Sequence, residues 1–236
     1  MAAMQSGLTI IETPSPNFDE RGAPVSILVL HYTGMQSADA AITRLCDPAA
    51  KVSAHYLVAE DGTILRMVQE DKRAWHAGKS YWRGHSGLNS ISIGIEIVNP
   101  GHEFGYRPFP DAQMNSVIPL VAEIVARHEI TRGNVVGHSD IAPARKQDPG
   151  ELFPWHSLAR LRLALPRPTK NLMDPGWTDG GFMLALERFG YDVADQKAAV
   201  VAFQRRFRPE HIDGEIDMEC RCILLALLLP KPQGDD

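Results

Sequence analysis

Two apolar runs in this chain end in histidine. Ile27-Leu28-Val29-Leu30 leads into His31, and Val135-Val136-Gly137 leads into His138. Runs of this kind read as strands buried on both faces. Each imidazole therefore stands at the exit of a rigid element, where a site is held most accurately. Ten residues beyond His138, Asp148 lies in Ala144-Arg145-Lys146-Gln147-Asp148-Pro149-Gly150. Two neutral nitrogens and one carboxylate oxygen leave a fourth tetrahedral position open, which is the donor set of a catalytic zinc ion. Any one of the three, taken singly, reads better as a satisfied structural residue. All three together, with Glu96 and Lys146 nearby in kind, read as one zinc ion per chain.

Strand parity assigns Glu96 a direction. In Ile93-Gly94-Ile95-Glu96-Ile97-Val98 its side chain lies opposite Ile95 and Ile97 and on the side of Gly94. A carboxylate buried in so apolar a strand needs a cation, a hydrogen-bonded water or a proton. A structural salt bridge meets that need as well as a catalytic role does. Beside a metal, burial would raise the pKa of Glu96 toward the range of a general base. Pro149 biases Asp148 toward an extended backbone. If that conformation extends back to Lys146, residues i and i+2 project to one side, and the Lys146 ammonium comes near enough to stabilise an oxyanion. A solvated surface lysine is the plainer alternative.

The elements that must hold these groups follow from periodicity. Candidate strands cover 27–31, 54–59, 63–68, 92–98 and 134–138, and Glu60-Asp61-Gly62 joins the second to the third with a strong hairpin signal. Met114, Val117, Ile118, Val121, Ile124 and Val125 recur at helical spacing, with Pro119 expected to kink that helix or split it in two. Another helix is expected after Ser37, with Ala41, Ile42 and Leu45 facing inward. Strands interleaved with helices predict an α/β fold in which a mixed central β-sheet is flanked by α-helices. Leu165-Pro166-Arg167-Pro168-Thr169-Lys170 reads as a linker. The expected division is a first domain over 1–165, a linker over 166–175 and a small all-α three-helix domain over 176–236. In the last, Phe182, Leu186 and Phe189 share a face ahead of Gly190, Val200, Phe203 and Phe207 mark a second helix, and 222–229 a third. No catalytic cluster is visible beyond the linker, so trimming after Lys170 is expected to leave the chemistry intact.

Composition excludes some classes of function. The 236 residues suffice for one substantial core and a smaller second unit. A net charge of −5 argues against a phosphate-binding nucleic-acid partner and sets no limit on a neutral sugar chain. The most apolar stretch, 223–229, is too short to cross a bilayer. The N-terminal residues carry no visible signal peptide. Three cysteines, Cys46, Cys220 and Cys222, cannot all pair within one chain. The expected compartment is therefore reducing and cytoplasmic, or the cell envelope if a signal has been trimmed.

Several segments together carry a family resemblance: His31-Tyr32-Thr33, Val52-Ser53-Ala54-His55-Tyr56-Leu57-Val58, Trp75-His76-Ala77-Gly78, Asn89-Ser90-Ile91-Ser92-Ile93-Gly94-Ile95-Glu96, Gly137-His138-Ser139-Asp140 and Lys146-Gln147-Asp148-Pro149-Gly150. In this order they resemble the type-2 zinc N-acetylmuramoyl-L-alanine amidases (AmpD/AmiD-like), relatives of phage amidases and peptidoglycan recognition proteins. The resemblance implies zinc held by His31, His138 and Asp148. It implies Glu96 as the residue that activates water and Lys146 as the stabiliser of the tetrahedral intermediate. The bond cut would be the amide joining the lactyl group of N-acetylmuramic acid to L-alanine, in peptidoglycan or muropeptides. Phe203-Gln204-Arg205-Arg206-Phe207, followed by Ile212-Asp213-Gly214-Glu215-Ile216-Asp217, resembles the three-helix peptidoglycan-binding module appended to such enzymes.

Tyr32, Trp75 and His76 are candidate contacts for sugar or peptide, although Trp75 reads equally well as a core aromatic. Asn89 either joins them or holds its own loop through backbone hydrogen bonds. His55 resembles a recurrent family histidine and is expected to support the substrate-binding site without ligating metal. Gly87 stands where some members of the family carry a substrate-binding arginine, which weakens any strict preference for anhydro-muropeptides. The competing readings are a peptidoglycan-recognition protein without catalysis and a zinc peptidase acting on stem peptides. The expected unit is a monomer.

Overall fold

The computed structural model describes residues 7–169 and 172–229. Lys170, in the expected linker, and 230–236, at the end of the expected helical domain, lie outside the described residues. Six strands form the central sheet: β1 (Ile10–Glu12), β3 (Ile27–Tyr32), β4 (Tyr56–Val58), β5 (Ile64–Arg66), β9 (Ser92–Ile97) and β10 (Val135–Gly137). Their order is β1-β5-β4-β9-β3-β10, parallel throughout except for the β4-β5 hairpin. Two small antiparallel pairs stand apart from it: β2 (Phe18–Glu20) with β6 (Lys72–Ala74), and β7 (Tyr81–Trp82) with β8 (His85–Ser86). The mixed sheet between helices agrees with the sequence expectation. The sequence reading missed β1, β2, β6, β7 and β8, two- or three-residue strands, most of them rich in polar residues.

The two faces of the sheet are covered differently. Leu28 and Leu30 of β3, Ile93, Ile95 and Ile97 of β9 and Val135 of β10 pack on α3 (Asp111–Arg127) through Met114, Val117, Leu120, Val121 and Ile124. This helix runs unbroken through Pro119. The proline frees only the carbonyl of Asn115, which is solvent-exposed and so meets water. On the opposite face, α1 (Ala38–Cys46) covers Leu57 and Leu65 with Ala41 and Leu45. Ser37 caps it by accepting the Ala40 N–H. Ile42 packs at the margin of this cluster.

The rest of that face belongs to the C-terminal helices α6 (Asp179–Phe189), α7 (Gln196–Phe207) and α8 (Met218–Leu228). Phe182, Leu186, Phe189, Phe203 and Phe207 share one buried cluster with Ile27 and Val29 of β3, Val136 of β10, and Trp82. Gly190 ends α6 at φ 144°. The turn after α7 is tied by the buried Gln204. Its Oε1 accepts from the N–H of Asp213 and Gly214, and its Nε2 donates to Asp213 and to the Glu215 carbonyl. Arg208, also buried, pairs with Asp213 and Asp217. Short helices α2 (Gly101–Phe104) and α5 (Trp155–Arg160) lie in the connections, and no helix among the described residues is long and apolar enough to cross a membrane.

Candidate metal centre

The parallel strands β3, β9 and β10 all deliver their carboxyl ends to one edge, where open α/β sheets bind ligands. The β3-β9 register sets His31 opposite Glu96 and Val29 opposite Gly94, so these four share one face. His138 follows β10 directly and begins α4 (His138–Ile141). Asp148 returns to the same point on the loop after α4. The three expected ligands converge: His31 Nδ1 lies 2.9 Å from His138 Nδ1 and 3.0 Å from Asp148 Oδ2, and His138 Nδ1 lies 3.1 Å from that oxygen. The residues are 1%, 3% and 6% exposed.

Proton positions follow from the hydrogen-bond network. Ser92 Oγ donates to the Leu88 carbonyl at 2.7 Å, so it must accept from His76 Nε2–H at 3.1 Å. His76 Nδ1 then carries a lone pair and accepts His31 Nε2–H at 3.0 Å. That leaves His31 Nδ1 unprotonated and aimed at the centre. His138 Nε2 faces the Ala77 carbonyl at 3.2 Å, which can only accept, so its Nδ1 is also unprotonated. Two imidazole lone pairs and a carboxylate oxygen thus meet with no proton among them, which is repulsive unless a cation sits between. The donor set and its outer hydrogen bonds fit zinc.

Electrostatics agree with neutral rings at His31 and His76. Burial, then the neighbouring His138, lowers the His31 pKa to about 4. His76 is held well below the ordinary value by burial and by the surrounding imidazoles. Burial opposes ionisation of Asp148, and His138 and His31 hold its carboxyl below the usual range only as proton donors; with their Nδ1 atoms unprotonated, a bound cation takes that part. Glu96 is pushed well above it, by burial first and by the charge of Asp148 second, with Lys146 opposing. Its Oε2 is buried without a hydrogen-bond partner. Glu96, Lys146, His138 and Asp148 line one cavity of about 340 Å³, together with Tyr32, Trp75 and His76.

The five expected substrate contacts separate. Trp75 and Tyr32 are half-buried at the cavity wall, and the Tyr32 hydroxyl donates to His102 Nδ1 at 2.9 Å. His76 touches the cavity but spends both ring nitrogens on His31 and Ser92. Gly94 makes its place, since a Cβ there would lie 2.5 Å from the His76 ring. His55 is wholly buried. Its Nδ1 accepts the Gly94 N–H and its Nε2 faces the Lys72 carbonyl, so no substrate reaches it. Asn89 accepts the backbone N–H groups of His76 and Ala77 at 3.1 and 2.7 Å, which makes it the holder of its loop. Sequence reading assigned no role to Ser92, although its parity with Gly94 and Glu96 places it on the site face. It assigned none to Asp140 either, whose Oδ2 accepts the Gly137 N–H at 2.7 Å and so fixes the turn that carries His138.

A family model described as N-acetylmuramoyl-L-alanine amidase matches residues 21–151. The chain is 39% identical over 230 residues to the N-acetylmuramoyl-L-alanine amidase AmiD of Escherichia coli, covering 86% of this chain and 82% of that one. It is 35% identical over 161 residues to the 1,6-anhydro-N-acetylmuramyl-L-alanine amidase AmpD of Enterobacter cloacae, covering 60% and 84%. Among solved structures, AmiD from E. coli with anhydro-N-acetylmuramic acid-L-Ala-D-gamma-Glu-L-Lys superposes with a TM-score of 0.77 at 37% identity, covering 89% of this chain and 91% of that one. AmpDh3 from Pseudomonas aeruginosa superposes with a TM-score of 0.79 at 32% identity, covering 96% and 97%.

Proposed function

This chain belongs to the N-acetylmuramoyl-L-alanine amidase family, and from that premise we propose that His31, His138 and Asp148 hold one zinc ion while Glu96 and Lys146 carry out the proton and charge work of amide hydrolysis. The enzyme is an amidase that separates the lactyl group of N-acetylmuramic acid from L-alanine. The observation that carries the assignment of residues is the meeting of three unprotonated donor atoms within 3.1 Å of one another, beside a glutamate oxygen that has no partner.

Zinc, when bound there, supplies Lewis-acid polarisation of the amide carbonyl and brings the pKa of water toward about 7. Glu96 takes the proton from the water oxygen as that oxygen bonds to the carbonyl carbon. Burial raises the Glu96 pKa in the metal-free site, and a cation held beside it would favour the ionised, proton-accepting form that a base requires. Lys146, on the same cavity wall, stabilises the oxyanion that develops. As the carbon–nitrogen bond breaks, Glu96 passes its proton to the departing amine of L-alanine, leaving a lactyl carboxylate and a free stem peptide. Tyr32 and Trp75 contact sugar or peptide, whereas His55, His76 and Asn89 support the site from behind. The substrate class is that of the muropeptide bound to AmiD.

Helices α6–α8 carry affinity for insoluble peptidoglycan, a reading supported by the motif around Phe203 and the turn at 212–217. The functional unit is a monomer, and the free thiols of Cys46, Cys220 and Cys222 favour a reducing compartment. Mass spectrometry of muropeptides digested with the zinc-loaded enzyme tests the whole reading. Free stem peptides beginning with L-alanine support it. Cleavage within the peptide would indicate a peptidase, and no product a recognition protein.

A further inference from the structure

Asp140 links the metal centre to a distant part of the chain. Its carboxylate is buried and each oxygen has one donor. The Gly137 N–H lies on Oδ2 at 2.7 Å, and the Tyr191 hydroxyl on Oδ1 at 2.6 Å. The first bond fixes the turn that begins with His138. The same turn grips the second ligand's backbone, since Ser139 N–H donates to the Asp148 carbonyl at 2.9 Å. Tyr191 lies 51 residues away from Asp140, just after α6, and is itself wholly buried. A cation of the C-terminal helices opposes the burial of Asp140 without pairing with it and without outweighing that burial. Arg206 of α7 is stacked on Trp155 and directed at the Val135 carbonyl of β10.

A buried carboxylate is costly unless hydrogen-bonded, and here one of its two donors comes from the C-terminal segment. We propose that Tyr191 is a positioning residue for the metal centre: through Asp140 it fixes the Gly137–His138 backbone and hence the direction of His138 Nδ1. The C-terminal helices are by this means part of the catalytic unit. The inference rests on reading His31, His138 and Asp148 as zinc ligands.

The test uses the full chain and measures zinc affinity by chelator competition, with the thermal midpoint of the metal-free form measured alongside. Tyr191→Phe removes one oxygen and keeps every aromatic contact. It is expected to weaken zinc binding about 10-fold, the lower end for partners outside the ligand shell. Asp140→Ala, which removes the acceptor of both bonds, is expected to weaken binding at least as much, and also reads the link if Tyr191→Phe does not fold. The double variant is expected to bind no more weakly than the worse single variant, because both remove one shared bond. Phe182→Leu, which lightens the same core without touching that bond, is expected to lower the midpoint at unchanged zinc affinity. Wild-type affinity in Tyr191→Phe, or losses that add in the double variant, would overturn the inference. A wild-type chain that binds no zinc would instead overturn the metal reading on which it rests.

Discussion

Glu96 and Lys146 line one cavity with His138 and Asp148 but are proposed to act on the water and the transition state, so substitutions divide by what they remove. Glu96→Gln keeps size and hydrogen bonding without the base. Zinc is expected to stay bound while kcat falls about 10²–10⁴-fold. Lys146→Met keeps most of the stem, and a loss on the order of 10²–10³-fold is expected if the ammonium serves as an oxyanion donor. Asp148→Ala is expected to lose zinc affinity itself. Measuring kcat on a defined muropeptide beside zinc content in each folded variant separates the three outcomes. Near-normal turnover in Glu96→Gln would return Glu96 to a purely structural role. Ser92→Ala acts further out. Without the hydroxyl, His76 Nε2–H has no acceptor and the tautomer chain to His31 loses its anchor. Zinc binding weaker by roughly 10-fold is expected on chelator titration, and an unchanged affinity would mean that packing alone orients His31.

At the scale of the strand, β9 supplies three successive positions on the site face, and each serves the site differently: Ser92 anchors His76, Gly94 makes room for it, and Glu96 lies opposite His31. The middle position is the most constrained. Gly94→Ala places a methyl 2.5 Å from an imidazole already bonded at both nitrogens, on a strand flanked by partners on both sides. Overpacking of this kind costs about 1–3 kcal/mol. The variant is expected to show both a lower thermal midpoint and weaker zinc binding, since His76 must move away from His31. A lower midpoint with full zinc affinity would show that the strand yields instead of the ring.

For the whole molecule, two expectations follow from what is buried. Helices α6–α8 cover Ile27, Val29 and Val136, so ending the chain at Thr169 would expose a large apolar face of the sheet. Where a linker alone predicts an autonomous first domain, the shared core leads to the opposite outcome. The shortened chain is expected to aggregate or bind hydrophobic dye, and a soluble, zinc-binding, active fragment would refute this. The second expectation concerns pH. His31 and His55 have folded pKa values of about 4 and 3, both depressed by burial, and His76 is depressed as well. Below their unfolded value of about 6.5 the unfolded chain takes up protons that the folded chain does not. Glu96 opposes them with one proton, because its folded pKa is raised. Metal-free protein is therefore expected to hold its full histidine contribution above pH 6.5 and to lose stability as pH falls toward 4. The slope amounts to about 1.4 kcal/mol per pH unit for each net proton. Urea melts across that range check the sign, and stability that rises on acidification would contradict the neutral assignment of these rings.

The sequence by itself determined the strands that matter and the residues they carry. Apolar runs mark β3, β9 and β10, and strand parity gives the face of Glu96, because both signals are local and repeat every second residue. The same locality explains the expected positions of α1 and of the C-terminal helices. Tertiary structure alone decided the rest. The order β4-β9-β3-β10 and its register bring His31 opposite Glu96, a relation no local pattern encodes. His55 was legible as a support and Asn89 as either a contact or the holder of its loop, whereas His76 read as a contact; the groups that fix all three lie across the fold. Pro119 predicted a kink or a split, and the structure keeps one helix across it, with the freed carbonyl on exposed Asn115. Tyr191 gave no sign in the sequence. Its partner lies 51 residues away, and a hydrogen bond across that distance exists only once the helices have closed over the sheet.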